Sequence, residues 1–379
     1  MDSANNNRLA FIDIARTYAV YLALLTHALH NFGIPRVGSF IYNYPYFTSM
    51  ATPMFIFMFG VMMELAYVNK SNVFLNAGEL DSRLIKRSFQ CYLAYCFTAL
   101  SAFIGGYLTT KDFFLALIFL SDSRYGNILF LYTITLLLMP FILRLRIKLG
   151  RASFFWMLTP LILIYFFNEF FESIAFGHFG YVINKLTGMG DASGGPSVLF
   201  GLLFVLTGMV AGSYSSRSSD SKAIYVLSLV ICSIFITILF IRESAFTIDS
   251  IKTVMTDYAY GQYRSAQNLN YYFLGTTYAL ITFCSIKILV DKVGLFRYLG
   301  LRLSAVAISS LFAFSIGNIV LNLMSDVSNF ISPIISLSIF FIAVTMMSIY
   351  KEKLPLYNIL NKLFKLNFAN RREKNNLSP

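Results

Sequence analysis

The most chemically loaded stretch of the chain is RLAFIDIARTYAVYLALLTHALHNFGI, residues 8–34. It is apolar enough to cross a bilayer, yet Asp13, Arg16, His27 and His30 lie inside it. Ionisable groups at membrane depth are costly and normally face a protein interior or a water-filled cavity. Arg16 and His27 are eleven residues apart, close to three whole helical turns. They therefore share one helix face, about 16 Å apart along the axis. Asp13 and His30 fall near the same stripe. A neutral imidazole in an apolar site can take a proton from a hydroxyl. A guanidinium near the membrane surface can grip a phosphate. Asp13, one turn from Arg16, either orients it or forms a plain helix-packing ion pair with it.

The elements around this helix follow from composition. Of 379 residues, 57% are apolar and 13% charged. A soluble chain carries about a quarter charged residues, so this composition excludes an ordinary soluble domain. The expected fold is all-α, a polytopic integral membrane bundle of about ten transmembrane helices with both termini cytoplasmic. The apolar segments run roughly 10–32, 46–68, 87–108, 127–147, 153–172, 196–214, 222–241, 270–290, 304–323 and 329–349. DFFLALIFL, 112–120, is too short to span and reads as an interfacial or re-entrant piece. Residues 1–349 form the membrane domain, and 350–379 a basic, partly amphipathic cytoplasmic tail suited to an anionic leaflet.

Charge placement fixes the expected orientation. With the N-terminus inside, 22 Lys and Arg fall on the inner side and seven on the outer, with Arg16 inside the membrane. That bias is how topology is encoded. It also explains the net charge of +12 without a nucleic-acid partner. The first segment reads as retained, since Asp13 and Arg16 break it and no small-x-small cleavage site follows. Cys91, Cys96, Cys232 and Cys284 all lie in apolar runs, so neither a disulfide framework nor a metal site is expected.

Two long outer loops are expected, about 173–195 and 242–269. The second contains DYAYGQYRSAQNLNYY, rich in Tyr and amides. Such side chains stack on and hydrogen-bond to sugars, which marks Tyr263, Arg264 and Asn268 as acceptor-binding candidates. An ordinary wet loop with interfacial Tyr has the same composition. Glu64, Glu169, Glu172 and His178 are further ionisable groups near membrane ends, each also explained by an interfacial position.

RLAFIDIARTYAVYLALLTHALH resembles the first helix of the membrane-bound acyltransferase-3 family. That family carries an Arg, ten residues and a His after an Ile/Leu-Asp element, matched here by Arg16, His27 and Asp13. Thr17 stands where the family usually has Gly. TPMFIFMFGVMMEL, 52–65, is similar to the family's second helix, with Phe59 in place of its Ser and Gly60 kept. SRLIKRS supplies Arg83, Lys86 and Arg87 where the family has a basic motif opening the third helix. Segments 125–140, 206–212 and 298–306 also look like family segments in the usual order.

The resemblance implies an integral-membrane O-acyltransferase, expected in a bacterial inner membrane. It would move an acyl group, commonly acetyl, from cytoplasmic acyl-CoA to a hydroxyl of a cell-envelope glycan or lipid-linked sugar. Acyl-CoA would be a co-substrate, with no bound cofactor. His27 would be the general base, Asp13 would orient Arg16, and Arg16, Arg83, Lys86 and Arg87 would hold donor phosphates. The three cations of SRLIKRS equally fit plain positive-inside topology. A transporter or flippase of a polar lipid or sugar is the alternative, since buried charges and ten helices suit it too.

Overall fold

The computed structural model describes residues 10–33, 44–68, 77–150, 152–159, 180–189, 195–215, 221–244, 247–266, 268–293, 306–307, 309–324 and 333–353. Among these the fold is helical. The helices are α1 (Ala10–Asn31), α2 (Tyr44–Thr48), α3 (Ala51–Met63), α4 (Ala77–Ile104), α5 (Thr110–Leu117), α6 (Asn127–Leu149), α7 (Gly180–Thr187), α8 (Val198–Ser215), α9 (Ser221–Arg242), α10 (Ile248–Tyr260), α11 (Leu269–Lys292), α12 (Ser310–Leu323) and α13 (Pro333–Ile349). Five stretches are long and apolar enough to cross a membrane: Tyr44–Val68, Asn127–Leu149, Val198–Ser215, Lys222–Arg242 and Leu269–Lys292. α12 and α13 are shorter apolar helices. The polar groups that make α1 chemically interesting also lower its hydropathy.

Several elements differ from the expected spans. The second is broken at Ser49–Met50 into α2 and α3, and α3 runs on into a π-helical turn, Glu64–Val68. α4 begins ten residues before the expected 87, because AGELDSRLIKRS is made largely of helix formers and carries the Glu79–Arg83 pair at i,i+4. The 112–120 piece forms the two-turn α5, its Thr109 side chain accepting from Asp112 N. The expected outer loop 242–269 contains α10, closed by a Thr247–Ser250 capping box and by Gly261 at φ +84°. Its polar composition reads as a loop, but its caps define a helix. Most of the 153–172 segment lies outside the described residues, as do Glu169, Glu172, His178 and the tail beyond Lys353.

Contacts set the helix directions. Ser88 donates to Thr133 O at 2.7 Å and Arg144 reaches Asp81, so α4 and α6 are antiparallel. Arg16 meets Ser310 and His27 meets Asn318, so α1 and α12 are parallel. Tyr21 meets Thr345 and Phe32 meets Phe340, so α13 opposes α1. α3 and α8 run parallel at backbone contact. A Cβ on Gly60 would lie 2.0 Å from Val205 O and one on Gly208 2.1 Å from Phe57 O, while one on Gly212 would lie 3.1 Å from Glu64 Cβ, so the two segments advance together from Gly60 and Val205 to Glu64 and Gly212. Small residues allow this approach, which replaces the hydrophobic drive that lipid-embedded helices lack.

Candidate functional site

His27 lies toward the C-terminal end of α1, half-buried. Its Nδ1 is 2.8 Å from Asn318 Oδ1. The Asn318 amide is oriented by its other end, where Nδ2 donates to Tyr125 O at 3.4 Å. With Oδ1 turned to the imidazole, Nδ1 carries the proton and Nε2 keeps its lone pair. Tyr125 stacks on the His27 ring, centroids 4.3 Å apart and planes 17° apart, and its hydroxyl donates to His27 O at 3.4 Å. Tyr125 holds φ +62°, a left-handed conformation costly for a side chain of this size. That strain is maintained where Tyr125 both stacks on the imidazole and anchors Asn318, a placement typical of functional sites.

Two adjoining cavities, about 200 and 260 Å³, share Thr26, His27, His30, Thr52, Ile128 and Arg264. Arg264 is thus brought to His27 from far along the chain. It follows α10 in a turn in which Arg264 N donates to Gly261 O at 3.0 Å. The other two acceptor-binding candidates go elsewhere. Asn268 caps α11, its Oδ1 accepting from Asn270 N at 3.0 Å. Tyr263 packs partly against the core and lines neither cavity. Burial, then the charges of Glu243 and Asp257, push its phenol up to about 12. Nearby in α7, burial pushes the Lys185 ammonium down, and Asp122 opposes the shift.

A third cavity, about 330 Å³, lies at the other end of α1 and is lined by Arg16, Arg87, Tyr67, Tyr132 and Ser310 among others. Arg16 Nη2 donates to Ser310 Oγ at 2.8 Å. Asp13 is buried three residues before it. Of the three α4 cations, Arg87 lines this cavity; Arg83 is exposed and paired with Glu79 at 2.5 Å, and Lys86 is not among the lining residues. Glu64 and Arg146 form a buried bidentate pair, Nη2 to Oε1 at 2.7 Å and Nε to Oε2 at 3.2 Å. The pair anchors the π-helical turn that places Ala66 and Tyr67 on the cavity wall.

Neighbouring residues of α3 and α6 line the two ends. Phe55 lines the Arg16 cavity while Ile56 lines the His27 side; Tyr132 and Leu131 divide in the same way. Phe314 joins the halves, its ring centroid 5.0 Å from Phe55 and 6.0 Å from His27. Tyr132 donates its hydroxyl to Phe55 O at 2.7 Å. A largely apolar septum of Phe55, Ile56, Leu131, Tyr132 and Phe314 thus lies between the cationic cavity and His27.

Sequence reasoning missed Asn318, Tyr125 and the septum. The available signal was Asn318 and Asn322, two fully buried amides four residues apart in the apolar α12. Asn322 ties α12 to α4 through Thr98 O at 3.2 Å and Ser101 Oγ at 3.0 Å, so the spacing alone does not separate the site residue from the packing residue. No protein-family model matches the chain, and no curated protein matches it significantly. Any assignment of activity rests on the residues and their geometry.

Proposed function

We propose that the protein is an integral-membrane O-acyltransferase that moves an acyl group from acyl-CoA, bound at the Arg16 end, to a hydroxyl bound at the His27 end. The observation that carries this reading is the His27–Asn318 bond, which leaves Nε2 as a base beside a cavity while a second, cationic cavity opens at the far end of the same helix. Arg16 and Arg87 grip the phosphates of the donor. The pantetheine arm, roughly as long as three helix turns, carries the thioester between Phe55 and Phe314 of the septum, within reach of the hydroxyl held at His27. His27 Nε2 takes the proton of the acceptor hydroxyl, and the oxygen attacks the thioester carbonyl. The tetrahedral intermediate then collapses with C–S cleavage, and the thiolate leaves with the proton from the imidazolium. The product is an ester and free CoA.

The proposed topology has ten crossings with both ends cytoplasmic, in a bacterial inner membrane. Supporting it, the long described helices alternate in direction along the chain except at α6 and α8, which both run from the His27 end toward the Arg16 end. One further crossing between them restores the alternation and agrees with the bias of Lys and Arg. The acceptor is an envelope glycan or lipid-linked sugar.

The test is transfer of radiolabelled acetyl from acetyl-CoA into the glycan fraction of membranes carrying the wild type or His27→Ala at matched levels. Label with the wild type and its loss in the variant support the proposal. Equal label in both removes the role given to His27. No label in either would favour the transporter or flippase reading.

A further inference from the structure

The two His27 cavities are lined by many polar groups but, among the described residues, by no carboxylate. Two arginines lie near them. Arg124 lines neither cavity: Nη2 donates to Asn31 Oδ1 at 2.9 Å, its guanidinium sits 3.3 Å over the Tyr107 ring, and Nη1 is buried without a hydrogen-bond partner among the described residues. Arg264 lines both cavities, is exposed at their mouth, and has no acidic partner among the described residues. An arginine held at a cavity mouth is well placed for a planar or tetrahedral anion, which its fork can bind with two parallel hydrogen bonds.

A second observation points to a ligand in the same place. Tyr258 lines the first cavity, is 3% exposed, and its hydroxyl has no hydrogen-bond partner among the described residues. A buried phenol left unpaired is costly, so a bound partner is its natural complement. Tyr258 also stacks on Tyr271, centroids 6.1 Å apart and planes 26° apart, which forms an aromatic wall for a sugar face. Tyr44, Thr48, Ser49 and Thr52 add hydroxyls around the same space.

We infer that the acceptor is an acidic sugar, one that carries a carboxylate or phosphate held by Arg264 while Tyr258 donates to the ring substituents and a free hydroxyl is presented to His27. The inference rests on the acyltransferase reading for the role of that hydroxyl, but not for the binding itself. Arg264 then selects the acceptor, and a neutral sugar binds the same cavities without that contact.

Equilibrium binding to the full chain in lipid nanodiscs, without acyl-CoA, tests this directly. The probes are methyl glucuronide, glucose 6-phosphate and the neutral methyl glucoside. The wild type should bind at least one anionic probe about tenfold more tightly than the glucoside, and the better of the two tells carboxylate from phosphate. Arg264→Gln should bring the ratio close to one, and Arg264→Lys should keep part of it. Tyr258→Phe should weaken all probes alike. Equal affinity for the neutral sugar, a preference that survives Arg264→Gln, or binding of none of the probes would overturn the inference. If the preference is found and His27→Ala leaves acetyl transfer unchanged, the acyltransferase reading fails while the anion site stands.

Discussion

Asn318 Oδ1 lies 2.8 Å from His27 Nδ1, and the same amide donates to Tyr125 O. One side chain thus settles which imidazole nitrogen carries the proton. Replacing Asn318 with Ala releases the ring and lets either tautomer form. Acetyl transfer should fall by about 10–100-fold, by analogy with metal-bound histidines that lose the partner orienting them. Asn318→Asp still offers an oxygen to Nδ1 and should retain most of the rate. A rate unchanged in Asn318→Ala would deny it an orienting role.

Arg87 and Arg83 lie one turn apart on α4 and should behave differently. Both are exposed, but Arg87 lines the cationic cavity whereas Arg83 is bound to Glu79. Steady-state kinetics should show KM for acetyl-CoA rising several-fold in Arg87→Ala, with Arg83→Ala near wild type, since an exposed pair contributes about 0–1 kcal/mol. The reverse order would move the donor site away from this cavity.

Phe314 bridges the septum between Phe55 and His27. Its truncation to Ala should cost about 3–5 kcal/mol of stability through the void it leaves. It should also open the wall to water. The ratio of acetyl-CoA hydrolysis to acetyl transfer should therefore rise in Phe314→Ala, measured on the folded fraction. An unchanged ratio would mean that water is excluded elsewhere.

The Glu64–Arg146 pair carries a prediction about stability. Removing one partner of a buried ion pair costs about 3–5 kcal/mol, while replacing both with apolar residues is often neutral. Glu64→Ala should lower the thermal midpoint markedly, and Glu64→Leu with Arg146→Met should recover most of the loss. Failure of the double variant to recover would mean that the π-helical turn needs the charges themselves.

Some of this architecture is legible in the chain and some is not, for physical reasons. His27 and Arg16 stand out because ionisable groups are rare in an apolar helix, and their spacing alone puts them on one face. Arg87 is marked by its charge, yet Arg83 and Lys86 have the same charge, and only the helix register distinguishes the one that lines the cavity. Asn318 is silent because nothing local says that α12 runs beside α1. The region holding Tyr263, Arg264 and Asn268 reads correctly as polar, but composition cannot separate a capping amide from a cavity cation. The Thr247 and Gly261 caps would have revealed α10 and narrowed the choice to the turn that follows it.

The most direct measurement of the central claim uses proteoliposomes in which all active protein has its Arg16 end facing the lumen. Labelled acetyl-CoA is sealed inside and a glycan acceptor is supplied only outside. The account predicts labelled ester outside, free CoA inside, and loss of both with His27→Ala. Ester formation that requires acetyl-CoA and acceptor on the same side, or that persists undiminished in His27→Ala, would contradict it.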